Sequence, residues 1–171
     1  MIGPLAERIA TGIKSVVPEH PASVEVLRYS ISFILNAAFI VMLSLMIAIF
    51  TGRLSETVIV LAAVAIMRFF SGGIHLESGL TCIAVSTIAV AGLSFAETSY
   101  TAAIWMSCAS AVLVLAFAPS RFEKHARIPE RYYPLLKVIS LLIVGVGLLA
   151  GSSVLSAAIL AQSSTLIRVR R

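Results

Sequence analysis

The chain has 171 residues, of which 59% are hydrophobic and 12% charged, with a net charge of +5 and a mean hydropathy of +1.02. Soluble domains are about half apolar and a quarter charged, so this balance points to a chain whose solvent is lipid. The excess of positive charge does not indicate nucleic acid, because the charges sit at the ends of apolar runs and form no basic stripe interleaved with aromatics.

Residues 4–17 (PLAERIATGIKSVV) place Leu5, Ile9, Ile13 and Val16 at helical spacing, with Glu7, Arg8 and Lys14 elsewhere. The pattern predicts an amphipathic helix, either lying in the membrane interface or packed on neighbouring loops. Pro18 and Pro21 end it. The first 29 residues are charged throughout and lack an apolar centre, so they do not read as a cleavable secretion signal.

A helix crossing the hydrocarbon core needs about 20 apolar residues. Residues 30–51, 54–70, 80–96 and 100–118 meet or approach that length. The run from Val138 to Val169 is too long for one span, and Gly151-Ser152-Ser153 divides it into a hairpin. The expectation is an all-α, polytopic membrane protein with six transmembrane helices plus the N-terminal amphipathic helix. It forms a single domain over 1–171, with residues 1–29 interfacial or cytoplasmic and 30–169 the bundle.

Lys and Arg prefer cytoplasmic loops. With both termini inside, six spans leave Arg53 alone outside and the other twelve of thirteen basic residues inside. Five spans would move Arg168, Arg170 and Arg171 outside.

The chemistry concentrates in residues 68–82, RFFSGGIHLESGLTC. Gly72-Gly73 suits a tight turn with positive φ. Cys82 and His75 together suggest a nucleophile and its base: a free thiol titrates near ~8.5, and a neighbouring imidazolium favours the thiolate. On one straight helix the two would lie about 10.5 Å apart along the axis, too far to meet. Ser78 is a favoured N-cap, so a helix starting there puts Cys82 in its first turns and leaves His75 in a loop, free to fold back. Against this stands the plain reading that Cys82 is a small apolar filler and His75 a solvated loop residue. Glu77 either orients the imidazole, a role Ser78 could also take, or points to water. Arg68 either holds a carboxylate or an oxyanion, or snorkels to the interface. Cys108, midway along a span, reads as packing, and His20 and His125 are assigned nothing. One His and one Cys make half a tetrahedral shell at most, so no metal is expected, and no nucleotide motif suggests another cofactor.

The run Arg68…Ser71-Gly72-Gly73-x-His75-x6-Cys82 closely resembles the signature of the accessory gene regulator protein B (AgrB) family, membrane peptidases of quorum sensing in Gram-positive bacteria. VEVLRYSISFILNAAF (24–39) resembles the family's entry to its first span, and FAPSRFEKHARIPERYYPLLK (117–137) its basic loop before a hydrophobic hairpin. The resemblance covers essentially the whole chain. It implies a cysteine endopeptidase with Cys82 as nucleophile and His75 as partner; Arg68, Glu77, Ser78, Gly72 and Gly73 are the candidate supporting residues around them. It also implies a substrate: a small amphipathic AgrD-like propeptide, cut at its acidic C-terminal tail on the cytoplasmic side and cyclised to a thiolactone or lactone signal. Phe69-Phe70 and the 119–137 loop depart from the pattern, which leaves substrate specificity open. The sequence also leaves open whether the chain forms a homodimer. The competing expectation is a small six-span peptide exporter, which the lack of any ionisable residue near the middle of a span disfavours.

Overall fold

Serine and glycine punctuate the apolar runs, and the helices begin and end on them. The structure, a computed structural model, describes residues 2–19, 21–74, 78–120 and 129–167. Among these are seven α-helices: α1 (Ile2–Val16), α2 (Val24–Thr51), α3 (Leu54–Ser71), α4 (Gly79–Leu93), α5 (Tyr100–Phe117), α6 (Tyr133–Ala150) and α7 (Ser153–Ser164). A 3-10 turn, Glu130–Tyr132, leads into α6. The described residues contain no sheet, only an isolated bridge between Gly72 and Ser120.

Ser23, Ser99 and Ser152 cap α2, α5 and α7, each accepting the N–H three residues on. Gly52 and Gly151 close α2 and α6 in the left-handed conformation. The break expected at 151–153 is therefore where α6 turns into α7. Because Ser23 caps α2, this helix starts inside the segment assigned to the N-terminal region and carries Glu25 and Arg28 ahead of its apolar part. Its 28 residues rise about 42 Å, more than the hydrocarbon thickness.

Six apolar helices follow α1, as many as expected, but they do not all have the expected length. α2, α3, α5 and the stretch Glu130–Ala150 are long and apolar enough to cross a membrane, while α4 and α7, with 15 and 12 residues, are shorter. The run expected over 80–96 stops at Leu93, where the chain tightens into bonds from Phe95 N–H to Gly92 O and Ala96 N–H to Leu93 O. The last run stops at Ser164, where the Ser164 and Thr165 hydroxyls capture carbonyls of the final turn.

α7 is short because it is the centre of the bundle. Val154, Ser156, Ala157, Ala158, Ile159, Gln162 and Ser163 are all buried, covering most of its circumference. It packs on α3 and α5 and also touches α4 and α6. Small residues permit this close approach, and Gly147 of α6 makes room for Ile159, whose Cδ1 would lie 2.7 Å from a Cβ there. Ser107 of α5 donates to Ser156 across the contact at 3.1 Å. One apolar cluster joins Met67, Val114, Val144, Ile159 and Leu166, and a second joins Val60, Ala63, Val90, Val154 and Ala158.

The outer surface is apolar. Leu149, Phe50 and Trp105 are 89%, 84% and 71% exposed, an arrangement that water would oppose and lipid accepts. This is the build of a multi-pass membrane protein. α1 turns Ala6 and Ala10 onto α2 and leaves Leu5, Ile9, Ile13 and Val16 exposed, so the apolar stripe is not the face packed on the protein.

Three turns meet at one end of the bundle. Ser153 Oγ donates to Thr98 O at 2.8 Å, Arg53 pairs with Glu97 and lies 3.8 Å from Glu56, and the Arg53 guanidinium stacks on Phe95. The 68–74 turn, Ser78, Ser120 and Leu166 gather at the other end.

Candidate active site

The site is built where α3 ends and α4 begins. α3 terminates at Ser71 because Gly72 and Gly73 adopt φ of 79° and 135°, a region that L side chains avoid. The turn is held from three directions. Ser120 N–H donates to Ser71 O at 2.9 Å and Gly73 N–H to Ser120 O at 3.3 Å. From α7, Gln162 Nε2 donates to Gly72 O at 2.9 Å. A Cβ on Gly73 would lie 2.6 Å from Thr165 Oγ1, so glycine is required there for space as well as for φ. Ser120 is tied in turn to Leu166 O through its hydroxyl.

Arg68 reaches forward from the last turn of α3, and its Nη2 donates to Ile74 O at 2.6 Å. The guanidinium therefore braces the chain leaving the Gly-Gly turn. It is half-buried and lines the same cavity as Cys82. His75 and Glu77 lie outside the described residues.

Ser78 caps α4 with extended backbone angles, as expected, although its side chain makes no capping bond. Its carbonyl accepts the Cys82 N–H at 2.9 Å. Cys82 is thus the fourth residue of α4, in the first turn, where the sequence reading requires it. It is 4% exposed. Its sulfur accepts a hydrogen bond from Asn36 Nδ2 of α2 at 3.3 Å, and Ser86 Oγ stands 4.0 Å away, one turn further along α4.

Cys82, Asn36, Arg68, Gly72, Gly73, Ser86 and Ser120 line a cavity of about 460 Å³ between α2, α3 and α4. The rest of its wall is largely apolar, with Phe33, Ala37 and Ile40 from α2 and Leu61, Val64 and Phe69 from α3. Tyr29 and Val41 mark its extent along α2, 12 residues or about 18 Å of rise. It is a groove with a few polar groups gathered around one sulfur.

Cys108 departs from expectation. It does not pack in the core but lies exposed on the outer face of α5, away from the cavity. His20 and His125 are outside the described residues. Among the described residues no group of three or more His, Cys, Asp or Glu is arranged to hold a metal ion.

The sequence reading missed three residues: Asn36, Ser120 and Gln162. A signal existed for two of them. Asn36 and Gln162 are lone carboxamides within apolar runs, and strongly polar side chains in membrane helices face the protein interior because lipid cannot satisfy them. Nothing local distinguishes Ser120, whose role comes from its bonds to Ser71, Gly73 and Leu166.

Comparison with known proteins shows the family. An AgrB-like protein of Halalkalibacterium halodurans is 26% identical over 126 residues, covering 73% of this chain. The match spans 64% of that relative's length. No solved structure matches the chain. The sequence profile described as Accessory gene regulator B matches residues 6–167, nearly the whole length. The chain belongs to the accessory gene regulator B family.

Proposed function

We propose that the protein is a membrane-embedded cysteine endopeptidase that processes a small quorum-sensing propeptide, with Cys82 as nucleophile and His75 as its base. The observation that carries this reading is the setting of Cys82: a buried sulfur in the first turn of a helix, hydrogen-bonded by Asn36 and facing a cavity shared with Arg68 and the Gly72-Gly73 turn. A sulfur that served only as filler would have no need of a carboxamide partner or of a cavity beside it.

In the proposed reaction His75 takes the Cys82 thiol proton, and the thiolate attacks the carbonyl carbon of the scissile peptide. The π electrons move to oxygen. Collapse of the intermediate breaks the C–N bond, and the imidazolium returns the proton to the amine of the departing acidic tail. The remaining thioester is resolved by a Cys or Ser of the propeptide itself, which forms the thiolactone or lactone ring and frees Cys82. Water competes for that thioester, and an apolar wall such as Phe33, Ile40, Leu61 and Val64 limits its access.

The groove's length and apolar lining suit an amphipathic peptide arriving along the membrane surface. The exposed stripe of α1 fits a helix resting in that interface. The twelve-to-one division of basic residues supports both termini and the Cys82 end lying on the cytoplasmic side, where those residues would also steer an acidic tail.

The test is co-expression of the protein, or its Cys82→Ser form, with any short, acidic-tailed peptide that a neighbouring reading frame encodes, read by mass spectrometry. The reading requires a shortened, cyclised product that disappears with Cys82→Ser. A peptide transported intact, with no mass change, would instead mark an exporter.

A further inference from the structure

Peptide-bond attack at Cys82 places a full negative charge on the former carbonyl oxygen, and something must receive it. A nucleophile's own backbone N–H is a common donor, but here the Cys82 N–H is committed to Ser78 O within the helix. Arg68 already spends Nη2 on Ile74 O. Asn36 is differently placed. Its Nδ2 carries two N–H groups and makes one bond among the described residues, to the Cys82 sulfur at 3.3 Å.

We propose that Asn36 is a catalytic residue, whose carboxamide N–H holds the Cys82 thiolate before attack and then donates to the oxyanion of the tetrahedral intermediate. The inference rests on the cysteine-peptidase reading and adds to it the group that stabilises the charge. The oxyanion is two bonds from Sγ, so a donor already touching the sulfur reaches it by a small rotation of the amide. No backbone movement is needed.

The burial of Asn36 argues the same way. The residue is 7% exposed, and its Oδ1 has no hydrogen-bond partner among the described residues. Leaving a carbonyl oxygen buried and unpaired is destabilising, and a leucine of similar shape would fill the space without that penalty. Stability therefore gives no reason for a carboxamide here, whereas the sulfur contact does. The orphan Oδ1 is buried on the α4 side, 3.8 Å from where a Cβ on Gly79 would stand.

The experiment uses the full-length protein in membranes, in a Cys108→Ser background so that Cys82 is the sole thiol. Asn36→Leu removes both polar atoms and Asn36→Asp replaces the donor with an acceptor in nearly the same shape. Two quantities are read: the pH profile of Cys82 alkylation by iodoacetamide, and kcat and KM for the co-expressed neighbouring peptide. The expected result is an alkylation midpoint moved to higher pH, kcat lowered about 10²–10³-fold as for loss of one oxyanion donor, and KM changed only a few-fold. If Asn36→Leu fails to insert, Asn36→Asp decides. Either variant processing peptide at the parent rate, with Cys82→Ser inactive, overturns the role of Asn36 and leaves the peptidase standing. Processing by Cys82→Ser overturns both.

Discussion

Asn36 of α2 and Cys82 of α4, 46 residues apart in the chain, meet through a hydrogen bond of 3.3 Å in the buried wall of the cavity. α2 and α4 pack directly, and Gly79 at the start of α4 lies beside Ile2 of α1 and Asn36 of α2. The first turn of α4 and the middle of α2 thus meet at one sulfur, and α1 lies against the start of α4.

The Gly-Gly turn should tolerate no side chain at its second position. Gly73→Ala meets Thr165 Oγ1 at 2.6 Å and a φ of 135°, and the conformational strain alone is about 1–3 kcal/mol. Processing is expected to fall at least ten-fold. The Gly73→Ala/Thr165→Ala double variant should recover only the steric part, because the backbone strain remains. Full recovery would show that φ at Gly73 is unimportant.

Gln162 should matter although it is far from Cys82 in sequence. Gln162→Leu leaves Gly72 O without its donor in a half-buried setting, a loss of about 0.5–1.5 kcal/mol. The effect should appear as a lower midpoint in thermal unfolding and as slower processing together. Unchanged values of both would mean the α7 brace is dispensable.

Arg68→Lys retains the charge but loses the planar fork. Because Nη2 holds Ile74 O at 2.6 Å, the substitution should slow turnover several-fold without lowering the amount of protein in the membrane, and Arg68→Ala should slow it further. Wild-type turnover by Arg68→Ala would reduce this residue to an interfacial charge.

The placement of turns is testable by labelling single cysteines in a Cys82→Ser/Cys108→Ser protein. Thr98→Cys, at the end where Ser153 bonds Thr98 O, should react with an impermeant maleimide from outside the cell. His125→Cys should react only after the cytoplasmic face is opened. Labelling of position 125 from outside would contradict the assignment of the basic loops to the cytoplasm.

Much of this arrangement was legible in the sequence because it is encoded locally. Ser78 and Gly151 act through the backbone of their own turns, so the start of α4 and the break between α6 and α7 could be read, and Cys82 fell where the Ser78 cap put it. The orientation of helices about their axes was not legible. When lipid and protein interior are both apolar, hydropathy carries no periodic signal for which side faces which, and Cys108 was accordingly read as packing although it faces outward. The same indifference hid α7, whose serines and alanines looked like a weak span and proved to be the bundle's centre. The contacts of Asn36, Ser120 and Gln162 link positions 46 to 90 residues apart, so even where a lone carboxamide marks the residue its partner is not written nearby.

The central claim is that the Cys82 sulfur carries out the cleavage. Membranes containing equal amounts of the wild-type, Cys108→Ser and Cys82→Ser proteins, each co-expressed with the neighbouring peptide, test it by mass spectrometry of that peptide. The account predicts the shortened peptide with the first two, since Cys108 points away from the cavity, and only the full-length peptide with Cys82→Ser. Cleavage at the wild-type level by a correctly inserted Cys82→Ser protein would contradict it.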